Sequence, residues 1–314
     1  MTAVCYVIQS HRDPEQIYRL VRVLRSGSVN GRIVVIHDFG GCHLDEAPLM
    51  ELPDTHLLRA AGRLVRSNYC CQVQPYLDTV DWLERGGFQY DWLVNLTAQD
   101  YPVKPMAEIE AFLDAATCDG FMRHWDVLSK DSPWSRRKAR ARYWHRYRWL
   151  SPETEPVLRA LRPLTRVLPV HFYLDYGAIA GVRSFRTPFN KDFRCYGGWT
   201  WFSLRREAVL YLRDFLAGHP EVERHYRGTV APEESLVQTV LCNSGRFDFV
   251  NDDLRYIDYS RAHRGAPRTL TVADLPLLAS GKYHFARKFD LAVDREVLDR
   301  IDRELLGIDS SRGN

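Results

Sequence analysis

The chain has 314 residues, 43 of them basic and 40 acidic, for a formal net charge of +3. Hydrophobic residues make up 45% and charged residues 26%, the balance of an ordinary globular chain long enough to bury a substantial core. No apolar run approaches the roughly 18–20 residues that span a bilayer, and low-complexity and collagen-like classes are excluded. The near-neutral total argues against a generic polyanion binder. Seven cysteines at irregular spacing, with no C-x-x-C pair, argue for reduced thiols and against a zinc site or a disulfide framework.

In chain order, Val4 to Ile8 reads as a first strand. A helix follows from about Pro14 to Leu24, with Asp13 at its N-cap and Ile17, Leu20, Val21 and Leu24 on its apolar face. Ile33 to Ile36 is a β-branched strand ending at His37 and Asp38, and a weaker strand lies near Leu57. A helix spans about Tyr69 to Arg85, Asp91 to Leu96 is a buried strand, and Pro105 opens a helix reaching Ala115. Asp119 to Arg123 is a further strand. Such alternation predicts a largely parallel sheet flanked by helices, with ligands beyond the carboxyl ends of its strands. Those ends carry Gln9, Ser10 and His11, then His37 and Asp38, then Thr97 to Asp100. No glycine-rich dinucleotide or P-loop signature is present.

Pro133 to Leu150 holds seven basic residues and no acid, so the rest of the chain is mildly acidic. Residues 124–170 read as an excursion from a single domain spanning 1–314, too short and too charged for a core of its own. Arg136 to Arg148 is either a solvated arginine-rich loop or a surface for an acidic, phosphorylated or membrane-borne partner. Its interleaved Tyr143, Trp144, Tyr147 and Trp149 also fit a rival reading, a nucleic-acid binder that stacks bases. Beyond it come a Gly- and Trp-rich strand from Cys195 to Leu204, helices over about Arg206 to Leu216 and Glu233 to Cys242, and a strand from Leu254 to Asp258. A short helix near Leu275 and a C-terminal helix over Asp294 to Leu306 complete the chain.

Four short segments and one absence stand out for chemistry. Asn95-Leu96-Thr97-Ala98-Gln99-Asp100-Tyr101-Pro102 runs from a buried strand into a turn. Gly197-Gly198-Trp199-Thr200-Trp201-Phe202 combines glycines that allow close backbone approach with indoles that suit a sugar face. Pro232-Glu233-Glu234-Ser235 places carboxylates at a helix start, where the dipole alone would favour them. Phe285-Ala286-Arg287-Lys288-Phe289-Asp290 frames two cations with aromatics. Finally, there is no D-x-D triplet of the kind that holds a metal on a sugar-nucleotide diphosphate, and the three E-x-E triplets sit in surface segments. A nucleotide-sugar enzyme with this sequence needs Arg and Lys as fixed countercharges.

Taken together with Val7-Ile8-Gln9-Ser10-His11, Arg19-Leu20-Val21 and His37-Asp38, the order of these segments resembles the core-2/I-branching β-1,6-N-acetylglucosaminyltransferases. This is glycosyltransferase family 14, which also includes protein xylosyltransferases. Val94 to Lys104, Gly197 to Arg206, Pro232-Glu233-Glu234 with Thr239, and Phe285 to Asp290 carry the likeness, over about residues 3 to 305. It implies a GT-A fold and an inverting, metal-independent transfer from a UDP-sugar, UDP-GlcNAc first and UDP-xylose second, to an acceptor hydroxyl. No cofactor is implied. By the same likeness Glu234 is the general base, with Glu233 one position away as the alternative register. Lys288 faces the diphosphate with Arg268, or alternatively Arg264, as partner. His11 and Asp38 hold uridine and ribose, and Asp100 lines the cleft or braces its loop. Trp199 and Tyr259 receive the acceptor sugar. The sequence lacks the stem and extra N-terminal region of the animal enzymes and looks like a compact bacterial version. A cytoplasmic location, peripheral to the membrane at most, and a glycan or glycoside acceptor that is acidic or lipid-linked are the accompanying expectations.

Overall fold

The computed structural model describes residues 2–28, 30–60, 68–174, 177–260 and 266–308. A seven-stranded sheet forms its centre. β1 (Val4–Ser10), β2 (Arg32–His37), β3 (Thr55–Arg59) and β4 (Trp92–Thr97) are mutually parallel, with β1 between β2 and β4. β5 (Asp100–Pro102) leaves this sheet, β6 (Gly120–Asp126) returns to it, and the long β10 (Tyr196–Arg205) runs antiparallel between β4 and β6. β11 (Phe249–Val250) closes the edge beside β6. The expected mixed, mostly parallel α/β architecture is therefore the one the chain adopts.

Both faces of β1 are buried because helices cover the sheet from both sides. Side chains alternate along a strand, so Tyr6 and Ile8 enter one core and Cys5 and Val7 the other. The first core packs the helices Pro14–Gly27, Met106–Ala115 and Glu296–Arg300, while the second packs Gln74–Arg85, Arg206–Gly218 and Leu236–Asn243. Ile17, Leu20, Val21 and Leu24 are all fully buried, as their spacing predicts. Asp13 does occupy the N-cap, but in a left-handed conformation (φ 56°) with no capping bond, and its carboxylate pairs with Arg12 at 3.0 Å. The α-helical part of the C-terminal helix is shorter than its pattern, Glu296–Arg300, before widening into a π-helical turn over Ile301–Leu305. None of the seven cysteines is in a disulfide.

Two small sheets adjoin this body. β12 (Arg255–Ile257) and β13 (Phe285–Arg287) pair in parallel, and β13 pairs antiparallel with β5, setting Arg287 opposite Asp100. β7 (His145–Trp149), β8 (Val170–Tyr173) and β9 (Ile179–Arg183) form an antiparallel sheet with β9 in the middle. The excursion thus leaves the central sheet after Asp126 and extends to Arg183. Its small core, Tyr147 and Ile179, borrows Val230 and Ala231 from the main body.

Candidate active site

β1 has β2 on one side and β4 on the other, so the strand order reverses there. That is where an open α/β sheet leaves a crevice beyond its strand ends. Gln9, Asn95, Thr97 and Glu233 line a narrow cavity at this point. Two clusters of polar and aromatic side chains flank it.

The first gathers at the end of β1. His11 is half-buried, and its imidazole is held below its ordinary value by burial and by Arg12, with Asp38 and Asp13 opposing. Asp38 is 4% exposed; its amide donates to the Ser10 carbonyl at 2.9 Å, and its carboxylate accepts from the Gly40 amide at 2.9 Å. Lys288 follows β13 directly. Burial, then Arg12, lowers its ammonium from the usual lysine value, with Asp290 and Asp13 opposing. Among the described residues no carboxylate stands within ion-pairing distance of Lys288. Arg12 contacts Asp290 at 3.2 Å. Cations crowded and partly desolvated in this way are relieved by an incoming oxyanion.

Arg268 is arranged differently. Its guanidinium meets Asp258 at 2.5 Å, and both its outer nitrogens bond Asp274. Asp274 closes the capping box of the turn Val272–Asp274 with Thr271. Hydrogen bonds from Ser260 and then from Arg268 hold Asp258 down at about 2. The backbone two residues on does reach the first cluster, where the Leu270 amide donates to the Lys288 carbonyl at 2.8 Å. Arg264, the alternative partner, lies outside the described residues.

The second cluster centres on Glu234, at the end of the short turn Pro232–Glu234. Ala231 enters this turn with φ 53°, uncommon for a non-glycine residue. Ser235 anchors its far side, donating to the Tyr196 carbonyl at 2.6 Å within a buried hydroxyl network with Tyr226 and Thr239. The Glu234 carboxylate pairs with Arg142, whose side chain is 4% exposed. Arg142 lies 4.7 Å over the Trp134 ring, and its Nε donates to the Tyr173 hydroxyl at 3.3 Å. Trp199 and Tyr259 stack with centroids 5.5 Å apart and planes 22° from parallel, and Trp125 meets Trp199 edge-on. All three line one cavity of about 500 Å³. Burial first, and the Glu234 charge second, push the Tyr259 phenol up to about 12. Glu233 and Glu234, adjacent in sequence, face different surroundings: the strand-end cavity and Arg142 respectively.

Asp100 joins the two clusters. It is fully buried, accepts from the Thr97 amide, and lies 3.5 Å from Arg287. Arg287 stacks 4.2 Å over Trp201. Arg255 is buried beside them; burial lowers its guanidinium to about 10 against the pull of Asp100 and Asp253. The Arg255 and Arg287 neighbours of Asp100 were not legible in sequence, nor was the Arg142 contact to Glu234. Only the adjacency of Arg287 to Lys288 offered a signal.

Two motif readings change. The space beside Gly198 is taken by the chain itself: a Cβ there would stand 2.0 Å from the Arg123 carbonyl of β6, where β10 bulges. The glycine serves strand crossing, and the accessible surface belongs to Trp199. The aromatics among the basic residues are also largely core, with Tyr143 fully buried and Tyr147 9% exposed. Arg136–Tyr143 is a helix and His145–Trp149 a strand, with Trp144 and Trp149 half-buried. Among the described residues, no group of three His, Cys, Asp or Glu side chains is placed to hold a metal ion, and no helix is long and apolar enough to cross a membrane.

The mixed α/β fold thus brings Lys288 and Arg12 together near its strand ends and sets the Trp199–Tyr259 stack beside Glu234. The chain belongs to the Core-2/I-branching enzyme family, whose model matches residues 63–277. It is 27% identical over 233 residues to beta-glucuronosyltransferase GlcAT14B of Arabidopsis thaliana, covering 71% of this chain and 46% of that protein. It is 26% identical over 258 residues to xylosyltransferase 2 of Rattus norvegicus, covering 75% and 26%. The chain thus spans about half the length of the plant relative and about a quarter of the mammalian one. Among solved structures it is similar to a 4-diphosphocytidyl-2C-methyl-D-erythritol synthase from Anaerococcus prevotii, at 8% identity and a TM-score of 0.38, covering 89% of this chain and 97% of that one.

Proposed function

We propose that the chain is an inverting glycosyltransferase that moves a sugar from a UDP-sugar to an acceptor hydroxyl without a metal. The observation that carries this reading is the placement of Glu234 beside the Trp199–Tyr259 stack, next to strand ends where Lys288 stands among cations with no carboxylate of its own. Glu234 takes the acceptor proton as the oxygen attacks the anomeric carbon from the face opposite UDP. Arg142 fixes the carboxylate's orientation, and no covalent intermediate requires a second nucleophile. The charge that develops on the departing diphosphate meets Lys288, supported by Arg12. His11 and Asp38 contact the nucleoside. The exposed faces of Trp199 and Tyr259 receive the acceptor sugar, whose C–H faces stack on aromatic rings. In this reading Arg268 acts as a tie for the loop after β12.

The named activities of the relatives shift the choice of donor. UDP-glucuronate joins UDP-GlcNAc and UDP-xylose as a candidate, and the order of the first two is reopened. A thermal-shift panel of these three with UDP-glucose and UDP-galactose tests the proposal, because a ligand that binds the folded state raises the midpoint. The expected result is stabilisation by UDP and by one of the sugars, unaffected by EDTA. Absence of any shift with UDP would remove the donor site, and loss of the shift on EDTA treatment would remove the metal-independent mechanism.

A further inference from the structure

The excursion carries two features that the transfer step does not use. One is a cavity of about 540 Å³ whose wall includes Arg137, Lys138, Arg159, Arg162, Thr165 and His171. Among its described residues Glu155 is the single carboxylate, and it is paired with Arg159 at 2.7 Å. Arg137 and Arg162 have no carboxylate partner among the described residues. Their charges converge on His171: burial, then His145, Arg137 and Arg162, depress its imidazole to about 4.

The second feature is apolar. Of the fourteen large hydrophobic side chains that the described surface exposes, eight lie between Leu150 and Phe185, which marks a surface rather than a background. Val157, Leu161, Leu164 and Leu168 follow one another through successive backbone bonds of a turning chain, with Arg159 and Arg162 between them. Val167 is 78% exposed and Phe185 87%. The Arg183 amide donates to the Pro169 carbonyl at 2.8 Å, which sets the exposed Val182 against the same run. The cavity also adjoins the base. Tyr173 and Ala141 line it, and Arg142, next to Ala141 in the chain, bonds both Tyr173 and Glu234.

From this arrangement we infer that the acceptor is a lipid carrying its sugar through a phosphate or diphosphate. The phosphoryl group sits in the cavity, the lipid lies over the apolar rim at the membrane surface, and the sugar hydroxyl reaches Glu234. The inference rests on the glycosyl-transfer reading of Glu234. Arginine forks match phosphoryl oxygens. Exposed apolar side chains interleaved with arginines suit the headgroup boundary of a bilayer. A neutral polysaccharide leaves the cations unmatched, and a nucleic acid leaves the apolar rim unmatched.

The test is flotation with vesicles of phosphatidylcholine alone, with added polyisoprenyl phosphate, or with an equal charge of phosphatidylserine. The protein is expected to float with the polyisoprenyl phosphate vesicles and to be released by inorganic pyrophosphate. The Arg137→Ser/Arg162→Ser variant is expected to bind these vesicles roughly tenfold or more weakly. The Val167→Ser/Leu168→Ser variant is expected to lose vesicle binding yet retain inorganic pyrophosphate binding, measured calorimetrically with UDP saturating. Equal flotation on phosphatidylserine, no release by pyrophosphate, or a dimer dissolved by Val167→Ser/Leu168→Ser would each overturn the proposal. UDP affinity, measured separately on every variant, keeps the two readings apart. If UDP does not bind while the vesicle results hold, the transfer reading fails and with it the acceptor role, while the lipid-phosphate site itself stands. If UDP binds and both variants behave as wild type toward vesicles, the lipid acceptor fails alone.

Discussion

Lys288 and Glu234 reach the strand ends by different routes. Lys288 is delivered by β13, which pairs with β5 a few residues beyond β4, so its position follows from backbone hydrogen bonding near the main sheet. Glu234 stands on a three-residue turn, and its carboxylate is fixed by an arginine 92 positions away. The region around Lys288 is thus set by register. The region around Glu234 is set by side-chain pairing between distant segments, Arg142 with Glu234 and Trp199 with Tyr259. The first arrangement holds cations in crowding that an anion relieves, and the second holds a carboxylate beside a flat apolar face. Chemistry at the two ends should therefore separate under mutation, one end governing donor affinity and the other turnover and acceptor affinity.

The largest expected effect is at Glu234, the proposed base. Glu234→Gln should lower kcat by about 10²–10⁴-fold, the range for loss of a general base, while UDP affinity by calorimetry stays at the wild-type value. Glu233→Gln is the companion measurement. Because Glu233 faces the strand-end cavity beside Gln9 and Thr97, it should alter UDP affinity more than turnover. The opposite pattern, turnover surviving Glu234→Gln and lost in Glu233→Gln, would shift the base by one residue.

Next in size is the donor end. Lys288→Ala should weaken UDP binding about 10–100-fold, the worth of a hydrogen bond to a charged group, with little change in acceptor KM. The same site predicts a pH dependence. A diphosphate binds the protonated lysine, so affinity is full below the free-enzyme pKa of Lys288 and is lost as pH rises through it. Burial and Arg12 place that value below the ordinary 10.5. The alkaline limb of UDP affinity should therefore begin earlier than for an exposed lysine, and it should vanish in Lys288→Ala. A smaller effect belongs to the platform. Trp199→Ala should raise acceptor KM about three- to tenfold, in keeping with aromatic stacking energies, with UDP affinity unchanged. Equal losses in donor and acceptor affinity would show that the two regions are not separable.

The same contrast explains what the amino-acid order reveals. The strands around β1 and the helix Pro14–Gly27 are legible because hydrophobic period and strand ends are local signals. Lys288 and Glu234 are named from motif order, since spacing along the chain is also local. Arg142 is hidden because the surrounding run, Arg136 to Arg148, looks uniformly solvated. Nothing local marks which of its arginines turns inward over Trp134 to meet a carboxylate. β7 and β9 are hidden for a related reason: their burial depends on Val230 and Ala231, which are distant in sequence. Asp100 and Arg287 become partners only through the antiparallel pairing of β5 with β13.

Arg268 gives the smallest effect and the finest discrimination between a donor ligand and a loop tie. Its two carboxylates already occupy its nitrogens, so Arg268→Met should change UDP affinity by less than about threefold, well short of what a lost charged hydrogen bond costs. It should instead lower the melting temperature by about 2–4 °C at neutral pH. The sign of the pH dependence follows from Asp258 and Asp274. Both are held below the ordinary 3.8, Asp258 at about 2. A depressed carboxylate stabilises the folded state above its unfolded value, and that contribution fades as pH falls through the folded one. The gap in melting temperature between wild type and Arg268→Met should therefore be constant from neutral pH down to about 5 and close towards pH 2. A gap that does not close on acidification, or a UDP affinity that falls as far as in Lys288→Ala, would move Arg268 from the loop to the diphosphate and add a third cation to Lys288 and Arg12.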